Sequence, residues 1–178
     1  MNKLVLLDRD GVINHDSLHY IRSVDDFHPI PGSIEAIARL TAAGYTIGVA
    51  TNQSGISRGY YSEEYLQAIH DKMLALVRAA GGDIAAIEHC PHMPDLHCAC
   101  RKPAPGMLQR LGERLNCRLD GVPFVGDRVS DIQAAYAVGA KPFLILSSMT
   151  DLVGLSAYAE VPVFHSLADW VDDFLSHS

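Results

Sequence analysis

Leu4-Val5-Leu6-Leu7-Asp8-Arg9-Asp10-Gly11 is an unbroken apolar run that stops abruptly on two carboxylates one residue apart. A short apolar run of this kind predicts a strand buried on both faces, as in a parallel sheet. Side chains alternate along a strand, so extended geometry carried to its end puts Asp8 and Asp10 on one side and turns Arg9 away. Both acids then overhang the carboxyl end of the strand, where open parallel sheets take their ligands. Aspartate and glycine also dominate turns, so Asp-x-Asp-Gly alone fits an Asx turn closed by Gly11 equally well. The motifs further along separate the two readings.

Working outward, 178 residues, 48% apolar and 20% charged, suit a single globular domain over 1–178. A formal charge of -7 argues against a nucleic-acid partner, because phosphate backbones are held by basic patches. An anionic small molecule remains open, given a local positive cluster or a metal ion. Met1-Asn2-Lys3-Leu4 has the charge of a leader, but its apolar run ends at Asp8, short of a secretory segment. No stretch is long and apolar enough for a bilayer, so we expect a cytoplasmic protein with no membrane partner. Thiols stay reduced there, and clustered cysteines are read first as a metal site.

Residues 12–31 lack helical periodicity and form a loop at the crevice mouth. Ser33 is the expected N-cap of a helix carrying Ile34, Ile37, Ala38 and Leu40 and ending at Gly44. A strand over Tyr45 to Ala50 runs into Thr51-Asn52-Gln53-Ser54-Gly55. Ser62 then opens a helix whose buried stripe is Leu66, Ile69, Met73, Leu76, Val77 and Ala80. Next come a strand over Ile84 to His89, a helix with Met107, Leu108, Leu111 and Leu115, and a strand over Val122 to Gly126. Ser130 is expected to cap a helix through Val138. A strand over Phe143 to Leu146, an edge strand over 161–164 and a helix from Ser166 to Leu175 complete the chain. This alternation predicts a Rossmann-like, doubly wound parallel sheet in an α/β fold.

Four predicted strand ends carry polar groups: Asp8 with Asp10, Thr51, the region before Lys102, and Asp127 with Asp131. Such ends lie side by side in a doubly wound sheet. Together they suit phosphoryl transfer, in which a carboxylate attacks phosphorus but needs cationic help to approach a negative group. Asp8, Asp127 and a backbone carbonyl could hold magnesium through oxygen ligands. Lys102 would add a point charge and Thr51 a hydroxyl donor. Asp10 could protonate the leaving oxygen and later activate water, which requires surroundings that keep its pKa high.

Cys90, His92, Cys98 and Cys100 offer three thiolates and an imidazole within eleven residues, a set that closes tetrahedral structural zinc. The cluster would pin a loop beside Arg101 and Lys102. His89 and His97 are possible substitutes for His92, and unligated thiols are the alternative. Cys117 reads as a small buried residue.

Asp8-Arg9-Asp10-Gly11, Thr51-Asn52-Gln53, Lys102-Pro103 and Gly126-Asp127-Arg128-x-x-Asp131 together resemble the four motifs of the haloacid dehalogenase (HAD) superfamily, from residue 4 to about 146. The resemblance implies a magnesium-dependent phosphatase: Asp8 the nucleophile, Asp10 the acid/base and a backbone-carbonyl ligand, Asp127 a metal ligand with Asp131 behind it. Neither linker has room for a cap domain. The longer wording Asp8 to Asn14, Thr51 to Gly59 and Cys100-Arg101-Lys102-Pro103 is similar to the D-glycero-D-manno-heptose 1,7-bisphosphate 7-phosphatases, which serve ADP-heptose and lipopolysaccharide synthesis and carry the zinc loop.

That resemblance implies substrate contacts from Asn52, Gln53, Ser54, Arg101 and Arg128, and from Asp16, Ser17 and Tyr20 of the mouth loop. Here that loop reads Asp16-Ser17-Leu18-His19-Tyr20, where the family has a shorter segment with glycine. The interval from His92 to Cys98 is also short for the zinc loop. Arg58 and Arg101 have the planar fork that suits a second phosphate. Histidinol-phosphate phosphatases share the acidic motif and zinc loop but have aspartate at the position of Ser54. A polynucleotide phosphatase is opposed by the net acidity, and a zinc-stapled phosphate-binding module without turnover is the non-enzyme alternative. A phosphorylated sugar is the expected partner, and no apolar stripe is left over for a second copy, so the chain is expected to be a monomer.

Overall fold

The computed structural model describes residues 3–178, so Met1 and Asn2, part of the charged opening weighed above, lie outside the described residues. Six strands form one sheet: β1 (Leu4–Leu7), β2 (Thr46–Asn52), β3 (Ala86–Cys90), β4 (Pro123–Gly126), β5 (Lys141–Ile145) and β6 (Val163–Phe164). All pairs are parallel, in the order β3-β2-β1-β4-β5-β6. This is the doubly wound arrangement with its switch point between β1 and β4. Leu7 pairs with Val49 on one side and Val125 on the other, so these strands end at nearly one level.

The pleat of β1 explains its apolar run. Val5 and Leu7 pack toward α1 (Ser33–Ala42), α2 (Glu63–Ala79) and α6 (Leu167–Ser176). Leu4 and Leu6 face α3 (Gly106–Arg114) and α4 (Val129–Ala137). All four side chains are fully buried, each worth roughly 1.5–3 kcal/mol relative to exposure. Among the described residues, 8–32 and 53–62 hold a single 3-10 turn, Val24–Asp26, and no cap domain. Likewise, no helix of the described residues is long and apolar enough to cross a membrane.

Several element ends differ from the sequence reading. Gly32, at φ +87°, takes the N-cap of α1, while Ser33 is the first helical residue and donates its hydroxyl to the Val12 carbonyl at 2.8 Å. Arg128 is the N-cap of α4 and Ser130 lies inside its first turn. Ser62 caps α2 as expected, accepting from the Tyr65 amide, and Ser166, read as the first residue of the last helix, is the N-cap of α6 and accepts from the Asp169 amide. On α2 the stripe turns slightly: Leu76 and Ala80 reach the surface and His70 is buried instead. Strand β2 extends through Thr51 and Asn52, β3 runs to Cys90, and β5 begins at Lys141.

Candidate active site

At the carboxyl edge of the sheet, β1 delivers Asp8 and β4 delivers Asp127, the two strands flanking the switch point. Lys102, from the loop before α3, reaches between them. Its Nζ lies 3.0 Å from Asp8 Oδ1 and 2.7 Å from Asp131 Oδ1, and donates to the Ala50 carbonyl at 2.9 Å. All three ammonium protons are thus engaged in a buried position. Burial opposes the charge, but the Asp131 and Asp8 carboxylates outweigh it and hold the Lys102 pKa above its ordinary value.

Asp8, Asp127 and Asp131 present carboxylate oxygens within 4.8 Å of one another, all buried. Burial and the charge of Asp131 drive the Asp8 carboxyl well above its usual pKa, with Lys102 opposing. The same two causes push Asp127 up to about 7. Three buried acids facing a single ammonium are short of positive charge. Asp131 has both oxygens committed, Oδ1 to Lys102 and Oδ2 to the backbone amides of Asp127 and Arg128 at 3.1 Å. Asp131 Oδ1 and Asp127 Oδ1 are both buried without a counted hydrogen bond, but the first has the Lys102 ammonium at 2.7 Å and the second has no ion pair among the described residues. That bare oxygen, beside Asp8, fits a hard divalent cation. Gly11 leaves room for the Asp127 carboxylate itself: at φ +82°, a Cβ there would stand 2.1 Å from Asp127 Oδ2.

Asp8 and Asp10 both line the cavity at this edge and Arg9 does not, as alternation predicts, although the strand itself is short. Extended geometry stops at Leu7, and the amides of Val12, Ile13 and Asn14 all turn back to the Arg9 carbonyl. The Arg9 side chain is fully buried, with Nη2 at 2.8 Å from Asp10 Oδ1 and Nη1 at 3.1 Å from His70 Nε2. Burial and the Arg9 charge lower the His70 pKa to about 3, so its neutral ring accepts that bond. Asp10 also accepts from Asn14 Nδ2 at 3.0 Å and Gln53 Nε2 at 3.2 Å. Burial would raise its pKa, but Arg9 and these donors prevail and lower it, the reverse of the raised value expected from its acid role.

Thr51 and Gln53 are buried, and Gln53 is spoken for: Nε2 donates to Thr51 Oγ1 at 2.9 Å and to Asp10, while Oε1 accepts from Tyr61 at 2.5 Å. Asn52 exchanges two bonds with the Lys102 backbone, at 3.1 and 3.3 Å, tying β2 to the lysine loop. Above this floor opens a cavity of about 560 Å³, lined by Asp16, Ser17, Tyr20, Asn52, Gln53, Ser54, Arg58, Arg101 and Arg128 among others. Arg128 pairs with Asp16 at 3.1 Å, Arg58 donates to Ser54 at 3.3 Å, and Arg101 donates to the His92 carbonyl at 3.3 Å. Burial, with the charges of Arg58 and Arg128, lowers the Arg101 pKa. Every predicted substrate residue thus reaches one cavity, although Asn52 and Gln53 spend their amides on internal bonds.

Cys90 Sγ lies 3.5 Å from Cys98 Sγ and 2.7 Å from Cys100 Sγ, and Cys98 lies 3.6 Å from Cys100. His92 Nδ1 stands 3.4 Å from Cys90 and 3.3 Å from Cys100. Apart from the Cys90–Cys100 contact, these edges lie near the roughly 3.7 Å that zinc–sulfur bonds of about 2.3 Å set across a tetrahedron. Burial and the Cys100 hydrogen bond push the Cys90 thiol up to about 12, strain that a central dication relieves. His89 is elsewhere, bonded to Glu63 at 2.8 Å.

A family model described as HAD-hyrolase-like matches residues 99–170. The chain is 54% identical over 143 residues to the D-glycero-beta-D-manno-heptose-1,7-bisphosphate 7-phosphatase of Pseudomonas putida, covering 80% of this chain and 82% of the relative. The equivalent protein of Neisseria meningitidis serogroup B is 45% identical over 172 residues, 97% of this chain and 92% of the relative. The crystal structure of D,D-heptose 1,7-bisphosphate phosphatase from Bordetella bronchiseptica, complexed with magnesium and phosphate, matches with a TM-score of 0.90 at 42% identity, covering 100% of both chains. The chain belongs to the heptose-1,7-bisphosphate 7-phosphatase family of the HAD superfamily.

Within a heptose-bisphosphate phosphatase fold, some residues at the site escaped the sequence reading. His70 looks like one more position on an amphipathic helix. Ser147 does carry a signal, since it is the polar residue following the β5 apolar run, as Asp8 follows β1. Its hydroxyl donates to Asp127 Oδ2 at 2.6 Å.

Proposed function

We propose that the chain hydrolyses the 7-phosphate of D-glycero-beta-D-manno-heptose 1,7-bisphosphate through an aspartyl-phosphate on Asp8, within the ADP-heptose supply for lipopolysaccharide core synthesis. The observation that carries the reading is the Lys102 ammonium 3.0 Å from Asp8, inside a buried carboxylate group that also contains Asp127. The beta anomer is favoured by the names of the relatives at 45–54% identity.

In the first half, Asp8 attacks phosphorus, the bond to the sugar oxygen breaks, and Asp10 gives that oxygen its proton. Asp10 rests as a carboxylate and takes up that proton from solvent beforehand. In the second half, water attacks the acyl phosphate and passes a proton to Asp10, releasing phosphate and restoring Asp8. Thr51 accepts from Gln53, which leaves its hydroxyl proton to donate to a phosphoryl oxygen. Held by Asp8, Asp127 and the Asp10 backbone carbonyl, magnesium would supply the charge that lets the two anions meet. Asp131 serves this site from behind, fixing Lys102 and the Asp127 backbone.

Arg58, Arg101 and Arg128 form the cationic side of the cavity and suit the second phosphate. Asp16, Ser17, Tyr20 and Ser54 face the sugar from the mouth, while Asn52 and Gln53 keep Lys102 and Asp10 in place. Cys90, His92, Cys98 and Cys100 would hold a closed structural zinc that pins the loop carrying Arg101. We take the protein to be a cytoplasmic monomer working as one domain.

Phosphate release from the heptose bisphosphate and from histidinol phosphate, each with and without magnesium, tests the reading. Turnover of the first substrate alone, dependent on magnesium, is expected. Asp8→Asn should abolish turnover and keep the far-UV circular dichroism of the parent. Continued turnover by that variant would remove Asp8 as the nucleophile.

A further inference from the structure

We infer that Ser147 and Thr150, on the loop after β5, are positioning residues for Asp127, orienting its carboxylate so that Oδ1 stays bare for the divalent cation. The inference rests on the cation site of the proposed function and adds to it a segment that no motif touches. Ser147 Oγ accepts from the Met149 amide at 3.1 Å and donates to Asp127 Oδ2 at 2.6 Å. Thr150 Oγ1 accepts from the Ser147 amide at 3.0 Å and donates to the Asp127 carbonyl at 2.7 Å. The Thr150 amide closes the turn on the Ser147 carbonyl at 3.2 Å.

In each hydroxyl a backbone amide occupies the acceptor side, so the single proton is free to point at Asp127. One bond takes the side-chain oxygen Oδ2, the other the residue's own carbonyl, and Asp131 holds its amide. Backbone and side chain of Asp127 are therefore gripped at three points, while Oδ1 is buried without a partner. A hydroxyl bonded to one oxygen of a ligating carboxylate decides which oxygen faces the ion and limits its rotation. The alternative is a bond that only ties the loop to the sheet, in which case its loss lowers stability and leaves cation affinity alone.

Calorimetric titration of the full chain with Mg²⁺ alone, beside its melting temperature in magnesium-free buffer, separates the two. Ser147→Ala should weaken Mg²⁺ binding about 10- to 100-fold, the range found when partners of metal ligands are removed. Ser147→Thr should recover most of that loss. Thr150→Val should weaken binding less than Ser147→Ala, and Thr150→Ser should restore it. If Ser147→Ala proves unstable, Ser147→Cys keeps the volume with a weaker donor and should shift affinity in the same direction. Variants that bind Mg²⁺ as the parent does, whatever their melting temperature, overturn the inference alone. A parent chain with no Mg²⁺ affinity overturns both the inference and the cation site.

Discussion

Cys90, His92, Cys98 and Cys100 fall within eleven consecutive positions, whereas Asp8, Lys102, Asp127 and Asp131 are collected from two strand ends, a loop and a helix start. The two clusters obtain their geometry from opposite sources. The cysteine-histidine loop holds one 3-10 turn, Pro94–Leu96, and little else of regular structure, and its ligands are mostly half-buried. A loop with so little regular structure would gain its shape from an ion bound by these side chains. Asp8 and Asp127 directly follow the buried strands β1 and β4, and Asp131 sits in the first turn of α4, so the fold holds the carboxylates together before any ion arrives. Like charges assembled that way are kept apart from water at an electrostatic cost, visible in the raised pKa values of Asp8 and Asp127. The local cluster owes its proximity to the chain's own sequence, and the dispersed one to the fold.

Breaking the dispersed cluster should have the larger effect. Lys102→Met removes the ammonium between Asp8 and Asp131, and turnover should fall at least 10²–10³-fold, the scale of losing one preorganised charge-stabilising donor. Zinc content, read by elemental analysis, should stay that of the parent. A fall of less than tenfold would mean that this contact is not electrostatic machinery. Breaking the local cluster with Cys98→Ser plus Cys100→Ser should abolish zinc binding and cut turnover about 10- to 100-fold. The loss should appear in KM, because Arg101 follows the thiols directly, while calorimetric Mg²⁺ affinity stays near the parental value. Equal loss of Mg²⁺ affinity would show that the two clusters are not independent.

The smallest effect concerns stability against pH. Asp8 and Asp127 bind protons in the metal-free fold at pH values where the unfolded chain has released them. Stability conferred by a raised carboxyl pKa is present at low pH and lost as pH rises, here between the unfolded value of about 4 and the Asp127 value of about 7. Asp10, with a lowered pKa, acts in the opposite sense only at more acidic pH; His70, lowered to about 3, also opposes the trend up to its unfolded value of about 6.5, one group against two. Melting temperature in magnesium-free buffer should therefore drop by a few degrees from pH 5 to pH 7.5. Saturating Mg²⁺ should flatten the slope, and a rising melting temperature would contradict the assignment.

Much of this was legible in the residues themselves. Periodicity located the alternating strands and helices, Ser62 announced its helix, and the polar residues at strand ends marked the edge where the carboxylates and Lys102 gather. The thiol-imidazole cluster was readable because its members are neighbours in the chain. Tertiary structure decided the rest. Arg9 is fully buried beside Asp10, and its guanidinium lowers the pKa of that carboxyl against the effect of burial. Ser33 spends its hydroxyl on Val12 and Ser147 spends its own on Asp127, partners far off in the chain. Local patterns record which backbone conformation and which face a residue favours, and those preferences act within a few positions. Proton affinity, the direction of a hydroxyl and the oxygen left bare for an ion depend on groups that become neighbours only when the sheet has formed.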